Sequence, residues 1–159
     1  MAFFGALAGL LAVLVVALAA AVFFLRRAKT LPGEAGTVHE PIVPVSSFIE
    51  VDRVRVHYVQ AGQGKDVVLL HGIGASIFIW RFVFPLLQSR FRVTAIDIPG
   101  FGRSTKDPSR DHGLDAQCAI VMHATEAIGV QRPVLVGSSM GGAIALWLAT
   151  TEPARFSRV

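Results

Sequence analysis

Gly137, Ser139 and Gly141 share the stretch VGSSMGG, Val136 to Gly142. Gly and Ser are ordinary turn residues, so a plain turn is one reading. The other is a reactive hydroxyl. A serine at the centre of a tight bend, with residues lacking bulk two positions to either side, can project its Oγ clear of the backbone. The apolar PVLVG before it predicts a short buried strand, and SMGGAIALWLATTEP after it predicts a helix ended by Pro153. A helix N-terminus directs partial positive charge at its first turn, and the Met140 N–H lies on the same bend. Both favour a developing oxyanion.

The elements that must position this bend can be read from periodicity. FIEVDRVRVHYVQAG alternates apolar and polar residues around Asp52-Arg53. It predicts a β-hairpin with Val54, Val56 and Tyr58 on one face. DVVLLHG, Asp66 to Gly72, is continuously apolar and predicts a strand buried on both faces of a parallel sheet. Trp80, Val83, Phe84 and Leu87 fall at helical spacing, and Pro85 must kink that helix or open its second half. FRVTAIDIPG predicts a strand ending at Asp97. Leu114, Cys118, Val121, Thr125 and Ile128 form another helical stripe, stopped by Gly129 with Pro133 beyond. The order is hairpin, then β, α, β, α, β, α, which predicts an α/β domain with a mostly parallel sheet. No GxGxxG follows a strand, and GQGKD at Gly62 is no Walker loop, so nucleotide binding finds no support.

HGIGAS closes the first long strand, DIPGFGRS the second, and the GxSxG bend the third. In this order and at these element ends they resemble the α/β-hydrolase superfamily, within its group of serine esterases, lipases, haloperoxidases and related enzymes. The resemblance covers about Phe48 to Val159. It implies Ser139 as nucleophile, with the N–H groups of Ile73 and Met140 as the oxyanion hole and Gly74 as fallback for Ile73. His71 matches a structural histidine that organises its loop, and Gly72, Asp97 and Gly100 match loop-shaping positions. Gly137 and Gly141 shape the elbow. No metal or organic cofactor is implied. Dehalogenases are disfavoured, because they carry Asp at the Ser139 position; haloperoxidase-like and C–C-bond hydrolase members keep serine and stay open.

Other candidates read as structure. Ser138 reads as a passive turn residue, and His57, His112 and His123 as surface or ordinary packing. His39 lies in the linker. Cys118 reads as core, Trp80 and Trp147 as packing, and Asp107 and Asp111 as solvated.

A serine hydroxyl is a weak nucleophile until a base takes its proton and a third group orients that base. The resemblance implies the order serine, acid, histidine. After Ser139 the chain has 20 residues, one acid (Glu152) and no histidine. The sequence therefore reads as cut short where the next strand should begin, around Phe156 to Val159. This chain is expected to fold partially and to lack turnover, its PVLVG strand left with an open edge. A non-catalytic truncated paralogue or binding module is the alternative.

Composition adds a location. Hydrophobic residues make up 53% of the 159 and charged residues 16%. From Ala2 to Leu25 there is no charged, Asn, Gln or Pro residue. Those residues as a helix would reach roughly 36 Å, enough to cross a bilayer core of about 30 Å. The run is long for a cleaved signal peptide and apolar all round, unlike a core helix. Residues 1–27 are thus expected to form a single-pass transmembrane anchor, 28–47 a Pro- and Gly-bearing linker, and 48–159 the partial hydrolase domain. Arg26, Arg27 and Lys29 follow the run, which predicts a cytoplasmic domain. The net charge of +4 is scattered beyond that cluster, so no nucleic-acid partner is expected. The anchor favours a lipophilic ester as the small-molecule substrate; membrane-tethered monoacylglycerol-lipase-like enzymes share the layout.

Overall fold

The computed structural model describes residues 44–159. The expected anchor, 1–27, and most of the linker, 28–47, lie outside the described residues. Among the described residues, no helix is long and apolar enough to cross a membrane.

Strands β1 (Ser46–Val51) and β2 (Val54–Ala61) form the hairpin. Asp52 and Arg53 both take positive φ, 50° and 61°, as the two-residue turn that follows strand twist demands. The strand takes in Ser46 and Ser47, which composition alone assigns to the linker; Ser46 pairs with Val59. Next come β3 (Asp66–Leu70), a 3₁₀ turn (Ile77–Trp80) and the short helix α1 (Phe84–Gln88). Pro85 sits in the first turn of α1, where its missing N–H is no loss. It therefore opens the second half of the stretch, one of the two outcomes expected of Pro85, while the residues before it form the separate 3₁₀ turn. Then follow β4 (Arg92–Ile96), α2 (Leu114–Ala127), β5 (Val134–Gly137) and α3 (Met140–Thr151).

The sheet order is β1-β2-β4-β3-β5. β3 pairs in parallel with β4 on one side and β5 on the other, while β2 joins β4 antiparallel. β3 is buried throughout, with its side chains dividing between two cores. Val68 and Leu70 pack with Val54, Val56, Ile96, Cys118, Val121, Ile144 and Leu148, under α2 and α3. Val67 and Leu69 pack with Val59, Phe84, Val93 and Ala95 on the opposite face, under the 3₁₀ turn and α1. Continuous apolarity in this strand thus follows from burial on both faces. At its entrance, Asp66 receives a bidentate Arg92 guanidinium (2.5 and 2.6 Å) and the Gln131 N–H (2.8 Å).

β5 lies at the end of this order, and its outer side is partly occupied. Arg158 bridges Val134 in parallel, and Leu135 N–H donates to its carbonyl at 2.9 Å. Phe156 is buried in the larger core.

Candidate active site

Chain order runs from β3 to β4 on one side and returns to β5 on the other. In open parallel sheets the crevice at the carboxyl ends of strands, where order reverses, is where ligands bind. Three loops leave those ends here: His71–Ser76 after β3, Asp97–Thr105 after β4, and Ser138–Ser139 after β5.

The bend after β5 is strained. Ser139 takes φ 52° and ψ −118°, a conformation that costs a non-glycine residue of order 1–3 kcal/mol. Ser139 is exposed and directly precedes the 12-residue helix α3. The two glycines have backbone against them. A β-carbon on Gly137 would lie 2.2 Å from the Gly141 carbonyl oxygen, and one on Gly141 would lie 2.2 Å from that of Leu70. Strand and helix therefore approach too closely for any side chain at either position. Ser138 N–H continues the ladder to Leu70 O (3.0 Å), so the bend starts directly from the sheet.

The loop after β3 packs on this bend. A β-carbon on Gly72 would stand 3.1 Å from Ser139 Cβ. His71 is fully buried behind it. Its Nδ1–H donates to Gly72 O (2.7 Å), and its Nε2 accepts from the Ile98 N–H (3.0 Å). A carbonyl on one side and an amide on the other set the tautomer. Both nitrogens are used, so this ring ties the β3 loop to the β4 loop and has no lone pair left for a serine proton.

Asp97 is the junction of the β4 loop. It is buried, yet its carboxylate accepts from Ile77 N–H (2.7 Å), Arg103 N–H (2.8 Å) and His57 Nδ1–H (2.7 Å). A buried carboxylate is tolerated only when so paired. Gly102, at φ 52°, leaves room for it: a β-carbon there would lie 2.1 Å from the carboxyl carbon. Ser104 Oγ donates to Asp97 O (2.5 Å) and accepts from His57 N–H (2.8 Å). His57 is thus 1% exposed and part of the loop's scaffold. Surface placement, one of the two readings of this residue from sequence, does not hold. Alternation put His57 on the strand face opposite Val56, and nothing local marks that the β4 loop covers it.

A groove of about 530 Å³ opens beside the bend, lined by Ile73, Gly100, Phe101, Lys106, His112 and Met140 among others. Ile73 and Met140 thus share one cavity, as do Gly100 and His112. Gly100, at φ 93°, lies under the His112 ring, where a β-carbon would come within 3.4 Å of it. His112 is bonded through Nε2 to Asp107 O (2.9 Å) and through Nδ1 to Gln117 Nε2 (3.3 Å). Its place in the groove is not evident from the sequence, because the loop that carries it has no periodicity. Among the described residues, no three His, Cys, Asp or Glu side chains are grouped to hold a metal ion.

The parallel sheet with its strained bend between β5 and α3 is matched by a known family. Residues 66–159 match the alpha/beta hydrolase fold family, and the chain belongs to it. The chain is 37% identical over 123 residues to YugF, an uncharacterized hydrolase of Bacillus subtilis, covering 76% of this chain and 44% of that one. It is 34% identical over 108 residues to bifunctional epoxide hydrolase 2 of Sus scrofa, covering 67% and 20%. The crystal structure of a membrane phospholipase A superposes with a TM-score of 0.71 at 32% identity, over 91% of this chain and 47% of that one. The chain thus spans less than half the length of these relatives.

Proposed function

We propose that this chain carries the nucleophile half of a membrane-tethered serine hydrolase. Ser139 Oγ attacks the carbonyl carbon of a lipophilic ester. The N–H groups of Ile73 and Met140 receive the oxyanion, a general base takes the Oγ proton and returns it to the ester oxygen, and the alcohol leaves as the acyl-enzyme forms. The single observation that supports this most is the φ of 52° at Ser139, held where Gly137 and Gly141 admit no side chain. Strain of this size persists only where surrounding structure over-determines it, and it clusters at reactive positions. The ester and the tether are supported by the uncharged run Ala2–Leu25 and by the likeness to a membrane phospholipase A.

The attack needs a base. His71 has both nitrogens engaged, and no histidine follows Ser139. This chain alone is therefore expected to show no Ser139-dependent hydrolysis of p-nitrophenyl acetate.

The elbow itself can be tested without a base. A thiol needs less activation than a hydroxyl, and a helix N-terminus lowers its pKa. The native Cys118 is buried, and burial together with Asp115 pushes its thiol up to about 11, so it stays silent. Ser139→Cys is expected to be alkylated by iodoacetamide at pH 7 roughly tenfold faster than Ser138→Cys. Equal rates would remove position 139 as the activated site. On a longer polypeptide supplying an acid and a histidine, a fluorophosphonate probe should label Ser139 and not Ser139→Ala.

A further inference from the structure

The 3₁₀ turn and α1 present two unlike faces. Ile77, Trp80, Phe84 and Leu87 point to the core beneath. Phe78, Phe82 and Leu86, spaced four residues apart, point outward and are 65%, 69% and 74% exposed. Ile73, on the lip of the groove, is 72% exposed. Single exposed apolar residues are normal, but a contiguous row is not. The row also holds a cation: the Arg81 guanidinium lies 4.3 Å from the ring centroids of both Phe78 and Phe82.

Charge says what such a face fits. From Val67 to Ile96 the chain has no Asp or Glu, and its charged residues are Arg81, Arg90 and Arg92. Arg92 is paired with Asp66, while Arg81 and Arg90 are exposed. Aromatic and aliphatic side chains interleaved with arginine match the boundary between headgroups and acyl chains of an anionic membrane. Asp97 accepts from the N–H of Ile77, the first residue of the 3₁₀ turn, which fixes the start of the row beside the β4 loop.

We infer that Phe78, Phe82 and Leu86, with Arg81, dock on an anionic lipid bilayer and set the groove mouth at Ile73 against the membrane surface. The inference rests on the proposed function only for the tether that brings the chain to a bilayer. An ester lipid can then enter the groove from the headgroup layer without crossing water.

The test uses the full 159-residue chain in vesicles of equal phosphatidylglycerol and phosphatidylcholine. A nitroxide is attached after Phe82→Cys, and in a second sample after Thr150→Cys on α3, over the opposite sheet face. Collision with oxygen relative to a water-soluble nickel chelate is expected to be roughly threefold higher at position 82 than at 150. Adding Arg81→Glu, an exposed change, should return position 82 to the aqueous ratio, as should 1 M salt in part. Equal ratios at 82 and 150 in chain that floats with the vesicles would overturn the inference, whereas chain that stays behind in the aqueous fraction refutes the tether and the inference built on it. So would low collision with both reagents at 82, which signals a covering protein surface such as a second copy, or indifference to Arg81→Glu. An unchanged far-ultraviolet circular dichroism spectrum establishes that each variant folds. Ser139 takes no part in this readout: Ser139→Ala should dock as the parent does, so failure to dock and failure of the elbow chemistry are separate results.

Discussion

Gly72 lies against Ser139, with so little space between them that a β-carbon on the glycine would stand 3.1 Å from the serine Cβ and 3.7 Å from its Oγ. Loop and bend are therefore one assembly. Gly72→Ala is expected to push the His71–Ser76 loop back by a few tenths of an ångström. The iodoacetamide reactivity of Ser139→Cys should change with it, while the unfolding midpoint moves little.

The glycines of the bend differ sharply among themselves. Gly137→Ala and Gly141→Ala drive a β-carbon into backbone at 2.2 Å, and each should cost more than about 3 kcal/mol. Gly142, in the next position, has its nearest neighbour at 3.4 Å and lies in α3. Gly142→Ala should instead be neutral or stabilise by up to about 1 kcal/mol, as alanine does in a helix. Urea unfolding of the three variants reads this order directly.

Strain at Ser139 should be visible as stability. Ser139→Gly removes the penalty for positive φ but adds freedom to the unfolded chain, leaving a net gain of about 1 kcal/mol. Ser139→Ala keeps the β-carbon and the strain, and should unfold like the parent. If glycine and alanine gave equal midpoints, the bend would be relaxed.

Asp97 gathers three donors in a buried place, and removing the acceptor strands them all. Asp97→Ala should cost about 3–5 kcal/mol, and His57→Ala less, because it leaves a carboxylate with two of its donors. Hydrogen exchange at the Ile77 and Arg103 amides should accelerate in Asp97→Ala.

The Asp66–Arg92 pair sets a pH dependence. Burial raises the Asp66 carboxyl, but the Arg92 hydrogen bonds, the Gln131 N–H and the guanidinium charge outweigh it and hold the group below the ordinary carboxylate range. The folded value lies under the unfolded one. Its contribution is thus complete above the unfolded value, near 4, and is lost as pH falls through the folded value. Asp66→Asn should cost about 1–3 kcal/mol at pH 7, with the difference from the parent closing in acid. A constant difference down to pH 2 would remove the pair as its cause.

Local pattern determined a good deal of this protein. Alternation around Asp52-Arg53 marked the hairpin, unbroken apolarity marked β3, and helical spacing marked α2. VGSSMGG marked the bend, because small residues between a strand and a helix leave few other conformations. Each of those signals spans fewer than about 20 residues, which is the range over which backbone periodicity carries information. The tertiary structure decided the rest. It set the order β1-β2-β4-β3-β5, which seats Gly72 on Ser139 across 67 positions, buries His57 beneath a loop 40 positions on, and turns Phe78, Phe82 and Leu86 outward. Contacts at such separations depend on which strands become neighbours, and no stretch of residues records its neighbour.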